Sequence, residues 1–228
     1  MSEEVPKKDL PAKGAIVQRD RQTYGVAPHT PAGIVTPDVL RKIADVAERF
    51  KVGQIKLTSA QRIALLGLEE EQLDAVWRDL GIQPGAPLGL CVRSIKVCPG
   101  TDWCKRGQQD SLRVGLEVDR RYHGMQLPWK FKMGVSGCAN DCAEACLKDI
   151  GLIGTLKGWN LMVGGNGGGL PRLSRRLFQH VPTSEEALVM VDRLVAWFRR
   201  RERKCRLGKL LDEVGEEYMR QVALGKED

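Results

Sequence analysis

The hydrophobic positions of this chain change period several times, and each change marks an element. Thr36-Pro37-Asp38 opens a helix, with the threonine as N-cap and the proline at the first position. Val39, Ile43, Val46 and Phe50 then fall on one face at helical spacing, and Gly53 closes the helix. Before it, Ala15 to Tyr24 reads as a strand. After it, Gln54 to Thr58 and Arg62 to Leu66 read as two more, with Gly67 ending the second. Glu69 to Leu80 predicts another helix, with Leu73, Val76 and Leu80 inward and Gly81 as its stop. A strand–helix–strand–strand–helix order predicts a small α+β layer with helices on one face of a sheet.

The stretch from Gly81 to Gly89, GIQPGAPLG, marks a boundary because prolines and glycines interrupt both periods. Beyond it Trp129 to Val135 alternates as a strand does, and Ala139 to Lys148 reads as a short helix. Ile150 to Leu156 and Asn160 to Val163 read as strands, followed by a loop of glycines from Gly164 to Gly169. Thr183-Ser184-Glu185-Glu186 caps a long helix running through Leu188, Val191, Leu194, Val195 and Phe198. The pattern predicts four regions: a flexible arm over 1–13, an α+β domain over 14–82, a second α+β domain over 83–200, and a charged tail over 201–228. In the tail, Leu207 to Ala223 reads as one helix.

Charge and cysteine content narrow the function classes. Lys and Arg outnumber Asp and Glu by 36 to 29, and the net charge of +7 calls for an anionic partner: nucleic acid, a membrane surface or an acidic small molecule. Aromatics make up only 5%, few for stacking on single-stranded nucleic acid, and no DNA-recognition motif is present. No apolar run reaches the ~18–20 residues of a bilayer span. The opening MSEEVPKKDL lacks the apolar core of a signal peptide, so a cytoplasmic location is expected. Seven cysteines in that compartment argue for metal rather than disulfides.

Cys98 and Cys104 have five residues between them, and Cys138 and Cys142 have three. The first spacing suits zinc poorly and differs from the tight run of bacterial ferredoxins. Four thiolates on two loops can still hold a cubane cluster. Cys138 is expected at a strand end and Cys142 in the first turn of a helix, whose N-terminus would favour a thiolate-bound cluster. Burial as small hydrophobes is the plain alternative, and paired spacing within glycine-rich turns argues against it.

These segments also carry a resemblance. KVCPGTDWCKRGQQDS (Lys96 to Ser111) and KFKMGVSGCANDCAEACLKDIGLIG (Lys130 to Gly154) resemble the siroheme and 4Fe–4S motifs of sulfite and nitrite reductases. GWNLMVGGNGG (Gly158 to Gly168) and LTSAQRIALLG (Leu57 to Gly67) continue the match. The chain is most similar to the low-molecular-weight, assimilatory-type sulfite reductases, and nearly as similar to the siroheme module of NADH-dependent nitrite reductases. The resemblance implies a ferredoxin-like α+β domain followed by an α+β siroheme and 4Fe–4S domain. It implies cluster ligation by Cys98, Cys104, Cys138 and Cys142, with Cys142 also bridging to the siroheme iron. Cys146 reads as packing, and Cys91 and Cys205 as structural.

Siroheme carries eight carboxylates, which gives the positive charge a specific purpose. The resemblance places cofactor contacts at Lys105, Arg106, Asn140, Gly164, Gly165, Asn166 and Arg172, beside Arg93. It places the substrate clamp at Arg62, Arg93, Lys130 and Lys132. Lys130 and Lys132 are two residues apart, on one face of the predicted strand. Larger family members carry the first arginine before the glutamine, where this chain has Ala60; the small members have Gln-Arg, as in Gln61-Arg62 here.

The implied reaction is six-electron reduction of sulfite to sulfide. Reduction of nitrite to ammonia, and a non-catalytic siroheme and iron–sulfur electron carrier, are the alternatives. No flavin domain or G-x-G-x-x-G fingerprint follows a strand, so electrons are expected from an external donor: a ferredoxin, a flavodoxin or a reductase subunit. Larger relatives hold two copies of this two-domain unit, so a homodimer would recreate the second half; a monomer with a more open site is the other arrangement. Nucleic acid and membrane partners are not expected.

Overall fold

The computed structural model describes residues 6–226, so the first part of the expected arm lies outside the described residues. The chain divides into two compact units, Met1–Gly89 and Leu90–Asp228.

The first unit is a four-stranded antiparallel sheet with two helices. In chain order it contains β1 (Ala15–Val17), β2 (Tyr24–Val26), α1 (Pro37–Arg49), β3 (Gln54–Leu57), β4 (Ile63–Leu68) and α2 (Leu73–Leu80). The strands lie in the order β1-β2-β4-β3. The span Ala15 to Tyr24 is a hairpin rather than one strand. The Asp20 carboxylate turns it by accepting from the amides of Gln22 and Thr23 at 2.9 and 3.0 Å. Strand β4 runs through Gly67 to Leu68, because a bulge opposite Tyr24 and Gly25 absorbs the glycine. The predicted Glu69–Leu80 helix begins as a 3-10 turn, and Gly81 ends α2 with its amide on the Trp77 carbonyl. Val46, Leu65, Leu68, Leu73, Val76 and Leu80 form the core. β3 is an edge strand whose Ile55 and Leu57 are exposed.

The second unit holds β5 (Lys96–Val97), α3 (Gly100–Trp103), α4 (Ser111–Tyr122), β6 (Met133–Ser136), β7 (Ile150–Thr155), β8 (Gly158–Val163), β9 (Arg175–Val181), α5 (Ser184–Arg199), α6 (Leu207–Val214) and α7 (Glu216–Leu224). Its sheet runs β5-β6-β7-β8-β9. β5, β6 and β7 are parallel, and β8 and β9 are antiparallel to their neighbours. Trp159, Trp197, Phe131 and Phe198 are fully buried in its core.

Helix α4 and strand β9 occupy stretches where the sequence pattern predicted no element. In α4, alternating Leu112, Val114, Leu116 and Val118 mask the helical face formed by Val114, Val118 and Tyr122. The alternating Trp129–Val135 stretch enters regular pairing only at Met133; Phe131 makes an isolated bridge to Val92. Ala139–Lys148 is not a helix but a chain of turns ending in a 3-10 turn at Ala145–Leu147. The charged C-terminal stretch folds into this unit as two helices separated at Gly215, with Leu207, Leu211, Met219 and Val222 buried.

Candidate functional site

The two cysteine pairs hang on one knot of backbone in the second unit. Cys98 follows β5, and its amide donates to the Val135 carbonyl of β6 at 3.2 Å. One turn later the Cys104 amide donates to Gly100, and the loop folds back so that Gln108 and Gln109 donate to the Gly137 carbonyl at 2.8 and 3.0 Å. The Gly137 amide in turn donates to the Cys98 sulfur at 3.1 Å. Position 107 accepts only glycine: a Cβ there would lie 2.7 Å from the Gly100 carbonyl. Cys98, Cys104 and Cys138 are half-buried, whereas Cys142 is exposed.

Asp141 builds the segment that carries Cys138 and Cys142. Its Oδ1 accepts from Ser136 Oγ and the Ala145 amide, both at 2.7 Å, and its Oδ2 accepts from the Cys146 amide at 2.9 Å. Asp141 and Glu144 both adopt left-handed backbone, which stops a helix from propagating. The expected helix N-terminus at Cys142 is therefore replaced by this turn. Sequence reasoning missed Asp141. The residue stands between the two cysteines in an Asn-Asp pair, a turn former that the apolar and cysteine positions around it obscured.

Burial and the neighbouring Asp141 push the Cys146 thiol up to about 11. A thiol held this high resists ionisation, unlike the thiolate a metal ligand must supply. All seven cysteines are free of disulfides, and among the described residues no three His, Cys, Asp or Glu groups converge to hold a single metal ion. Four soft thiols displayed around a shared backbone knot, with an amide already directed at one sulfur, fit a polynuclear iron–sulfur cluster.

Beside this knot lies a cationic face. Phe131 is buried, 5.1 Å between centroids from Phe198. Its amide and carbonyl pair with Cys91 and Arg93. That pairing sets Arg93 alongside the Phe131 backbone, while Lys130 and Lys132 flank the buried ring and are exposed. Partial loss of water around its chain lowers the Lys132 pKa although the residue reaches the surface, reinforced by the positive charges of Arg206, Lys148 and Arg93 despite the pull of Asp149. Burial also lowers the Arg93 pKa, with Arg206 adding to the effect against the opposing influence of Cys91.

Sequence reasoning missed Asp149 and Arg206. Asp149 is fully buried; its Oδ2 accepts from the Lys132 amide at 2.8 Å and lies 2.8 Å from the Arg206 guanidinium. Burial pushes the Asp149 carboxyl up to about 6, opposed by Arg206 and by the amides of Lys132 and Leu207. A charged residue at the mouth of the apolar β7 was the one available signal for Asp149. Arg206 was hidden in a basic run that resembled a solvated tail.

The remaining predicted contacts are placed as follows. Lys105, Arg106 and Asn140 are exposed on the two cysteine loops. Gly164 and Gly165 donate their amides to the carbonyls of Asp149 and Lys148. A Cβ on Gly165 would sit 2.6 Å from the Lys148 carbonyl, so close packing of the chain on itself is what requires glycine there. Asn166 and Arg172 pair through their backbones, and the Asn166 side chain holds its own turn. The Arg172 guanidinium grips Asp212 of α6, with one contact at 2.7 Å. Arg62 belongs to the first unit. Its amide is held by Thr58 Oγ1 at 3.2 Å in the turn before β4, and its guanidinium donates to Gly85 at 2.9 Å.

Both units match family models: residues 16–81 the nitrite/sulfite reductase ferredoxin-like half domain, and residues 88–227 the nitrite and sulphite reductase 4Fe–4S domain. The chain belongs to the nitrite and sulfite reductase family. It is 42% identical to an assimilatory-type sulfite reductase of Nitratidesulfovibrio vulgaris, over 93% of this chain and 98% of that one. It is also 42% identical to the nitrite reductase [NAD(P)H] large subunit of Klebsiella oxytoca, but spans only 22% of that protein. In fold it matches a dissimilatory sulfite reductase I, with a TM-score of 0.79 at 17% identity over 90% of this chain and 70% of that one. It likewise matches the NirA protein of Mycobacterium tuberculosis, with a TM-score of 0.76 at 24% identity over 90% and 40%.

Proposed function

We propose that this chain is a siroheme- and 4Fe–4S-dependent sulfite reductase that reduces sulfite to sulfide with six electrons from an external donor. The observation that carries this reading is the coincidence of two features: a near full-length match to an assimilatory-type sulfite reductase, and the cysteine knot beside the Arg93–Lys132 cationic face.

Cys98, Cys104, Cys138 and Cys142 would hold the cluster, with Cys142 shared with siroheme. The site roles of Lys105, Arg106, Asn140, Gly164, Gly165, Asn166 and Arg172 belong to the same proposal. The last four are engaged within their own unit, which supports a role in shaping the cofactor wall rather than direct charge pairing by Arg172. When bound, siroheme and the cluster together supply stepwise electron delivery to a sulfur or nitrogen oxyanion. The residues of the chain bind that anion and move its protons. Arg93 and Arg62 remain charged and orient oxygen atoms. Lys130 and Lys132 polarise the bonds being broken, and Lys132, with its lowered pKa, releases a proton to a departing oxygen more readily than an ordinary lysine does.

Among the described residues no helix is long and apolar enough to cross a membrane, and a cytoplasmic enzyme served by a ferredoxin, a flavodoxin or a reductase subunit is proposed. The exposed apolar edge of β3 supports self-association, which light scattering tests. The test of function is an anaerobic spectrum with iron and acid-labile sulfide assays, followed by turnover of sulfite and nitrite with reduced methyl viologen. Chlorin-type bands and a higher kcat/KM for sulfite are expected. A higher value for nitrite would move the assignment to nitrite reduction, which the 42% identity to the Klebsiella subunit favours as second reading. Bound cofactors without turnover would make the chain an electron carrier.

A further inference from the structure

The Arg206–Asp149 pair has features that fold stability does not account for. A buried ion pair contributes little net stability compared with apolar packing of similar size, because both charges lose their water. Here the loss is incompletely compensated: Asp149 Oδ1 and Arg206 Nε are buried with no hydrogen-bond partner among the described residues. The pair also lies within a surplus of positive charge. Arg93, Lys132 and Lys148 all act on this locality, and Lys148 is itself buried against Glu144 at 3.1 Å.

What the pair does hold is the backbone of Lys132, from both sides. The Lys132 amide donates to Asp149 Oδ2 at 2.8 Å, and the Asp149 amide donates to the Lys132 carbonyl at 2.9 Å. Arg206, at the start of α6, places its Nη2 2.8 Å from that same Oδ2 as an ion pair without hydrogen-bond geometry. A C-terminal helix is thus linked through one carboxylate oxygen to the residue that carries a proposed clamp lysine.

We propose that Arg206 is a positioning residue for oxyanion reduction, acting through Asp149 to fix the place of Lys132 on the cationic face. The proposal rests on the sulfite reductase reading. A small misplacement of a reacting group can reduce rate by about 100-fold, so Arg206→Met is expected to lower sulfite kcat/KM per bound siroheme roughly 10- to 100-fold. The siroheme content and the cluster should be retained.

The experiment compares wild type, R206M, R206K and the double variant R206M/D149N as siroheme-loaded proteins. It measures siroheme and iron content, turnover with reduced methyl viologen, and sulfite affinity from the shift of the siroheme absorption bands. R206K, which keeps the ion pair, should recover most of the activity and affinity. The double variant removes the unpaired buried carboxylate and so keeps the test valid if R206M fails to fold. Because the two residues form one device, its defect per siroheme should not exceed that of a single change. Wild-type activity per siroheme and unchanged sulfite affinity in R206M and in the double variant would overturn the proposal. So would a defect confined to cofactor content. Failure of the wild type itself to take up siroheme or reduce sulfite would instead overturn the functional reading.

Discussion

The amide of Gly137 points at the sulfur of Cys98 across 3.1 Å. This contact helps join the two cysteine pairs, which lie on separate loops of the chain. The same glycine carbonyl receives Gln108 and Gln109, so the loop bearing Cys104 closes onto the same point.

If that knot holds a cluster, the cysteines divide into two groups. Replacing Cys98, Cys104, Cys138 or Cys142 by alanine should leave the protein without its cluster, well below the about five irons per chain of a cluster plus siroheme. Cys146→Ala should retain the full complement. Iron and acid-labile sulfide assays on anaerobically purified variants decide this, and an iron-replete Cys98→Ala protein would contradict the assignment.

Asp141 receives three donors at 2.7 to 2.9 Å, and its loss strands each of them. Asp141→Ala should destabilise the apoprotein by about 1–3 kcal/mol per buried donor left unpaired. It should also lower cluster content although no ligand is changed. Thermal melting together with iron content tests both effects; a variant with normal melting and normal iron would refute the role.

Lys132→Met removes the ammonium that stands among Arg93, Lys148 and Arg206. Turnover of sulfite should fall by roughly 100- to 1,000-fold, the magnitude for loss of one preorganised electrostatic group, with the siroheme spectrum unchanged. Turnover close to wild type would remove Lys132 from the clamp.

Asp149 gives a pH signature of opposite sign to that of a typical surface carboxylate. Its carboxyl is pushed from the ordinary 3.8 up to about 6, so the folded protein holds this proton more tightly than the unfolded chain. Its favourable contribution is fully present below the ordinary value and is lost as pH rises through about 6. Asp149→Asn abolishes that dependence. The melting temperature of wild-type apoprotein relative to the variant should therefore decline from acid to neutral pH, and a pH-independent difference would rule out the shift.

The sequence alone determined what nearest neighbours along the chain determine. Thr36 caps α1 through the Val39 amide, Thr183 and Glu186 form the capping box of α5, and Gly81 stops α2. These signals were legible because each partner lies within one helical turn. The cysteine count pointed to metal, and the resemblance carried by the residues around the two pairs, rather than their spacing, implied a 4Fe–4S cluster. Where two periods competed, as in α4, the local pattern gave no element, and where a carboxylate redirected the backbone, as at Asp141, it gave the wrong one. The cationic face depended on contacts that no local rule encodes. Arg206 reaches Asp149, and Asp149 reaches Lys132, only after β6, β7 and α6 have packed together. Burial then decides the chemistry of Asp149, since the same carboxylate in water would keep its ordinary proton affinity, and only the tertiary structure removes that water.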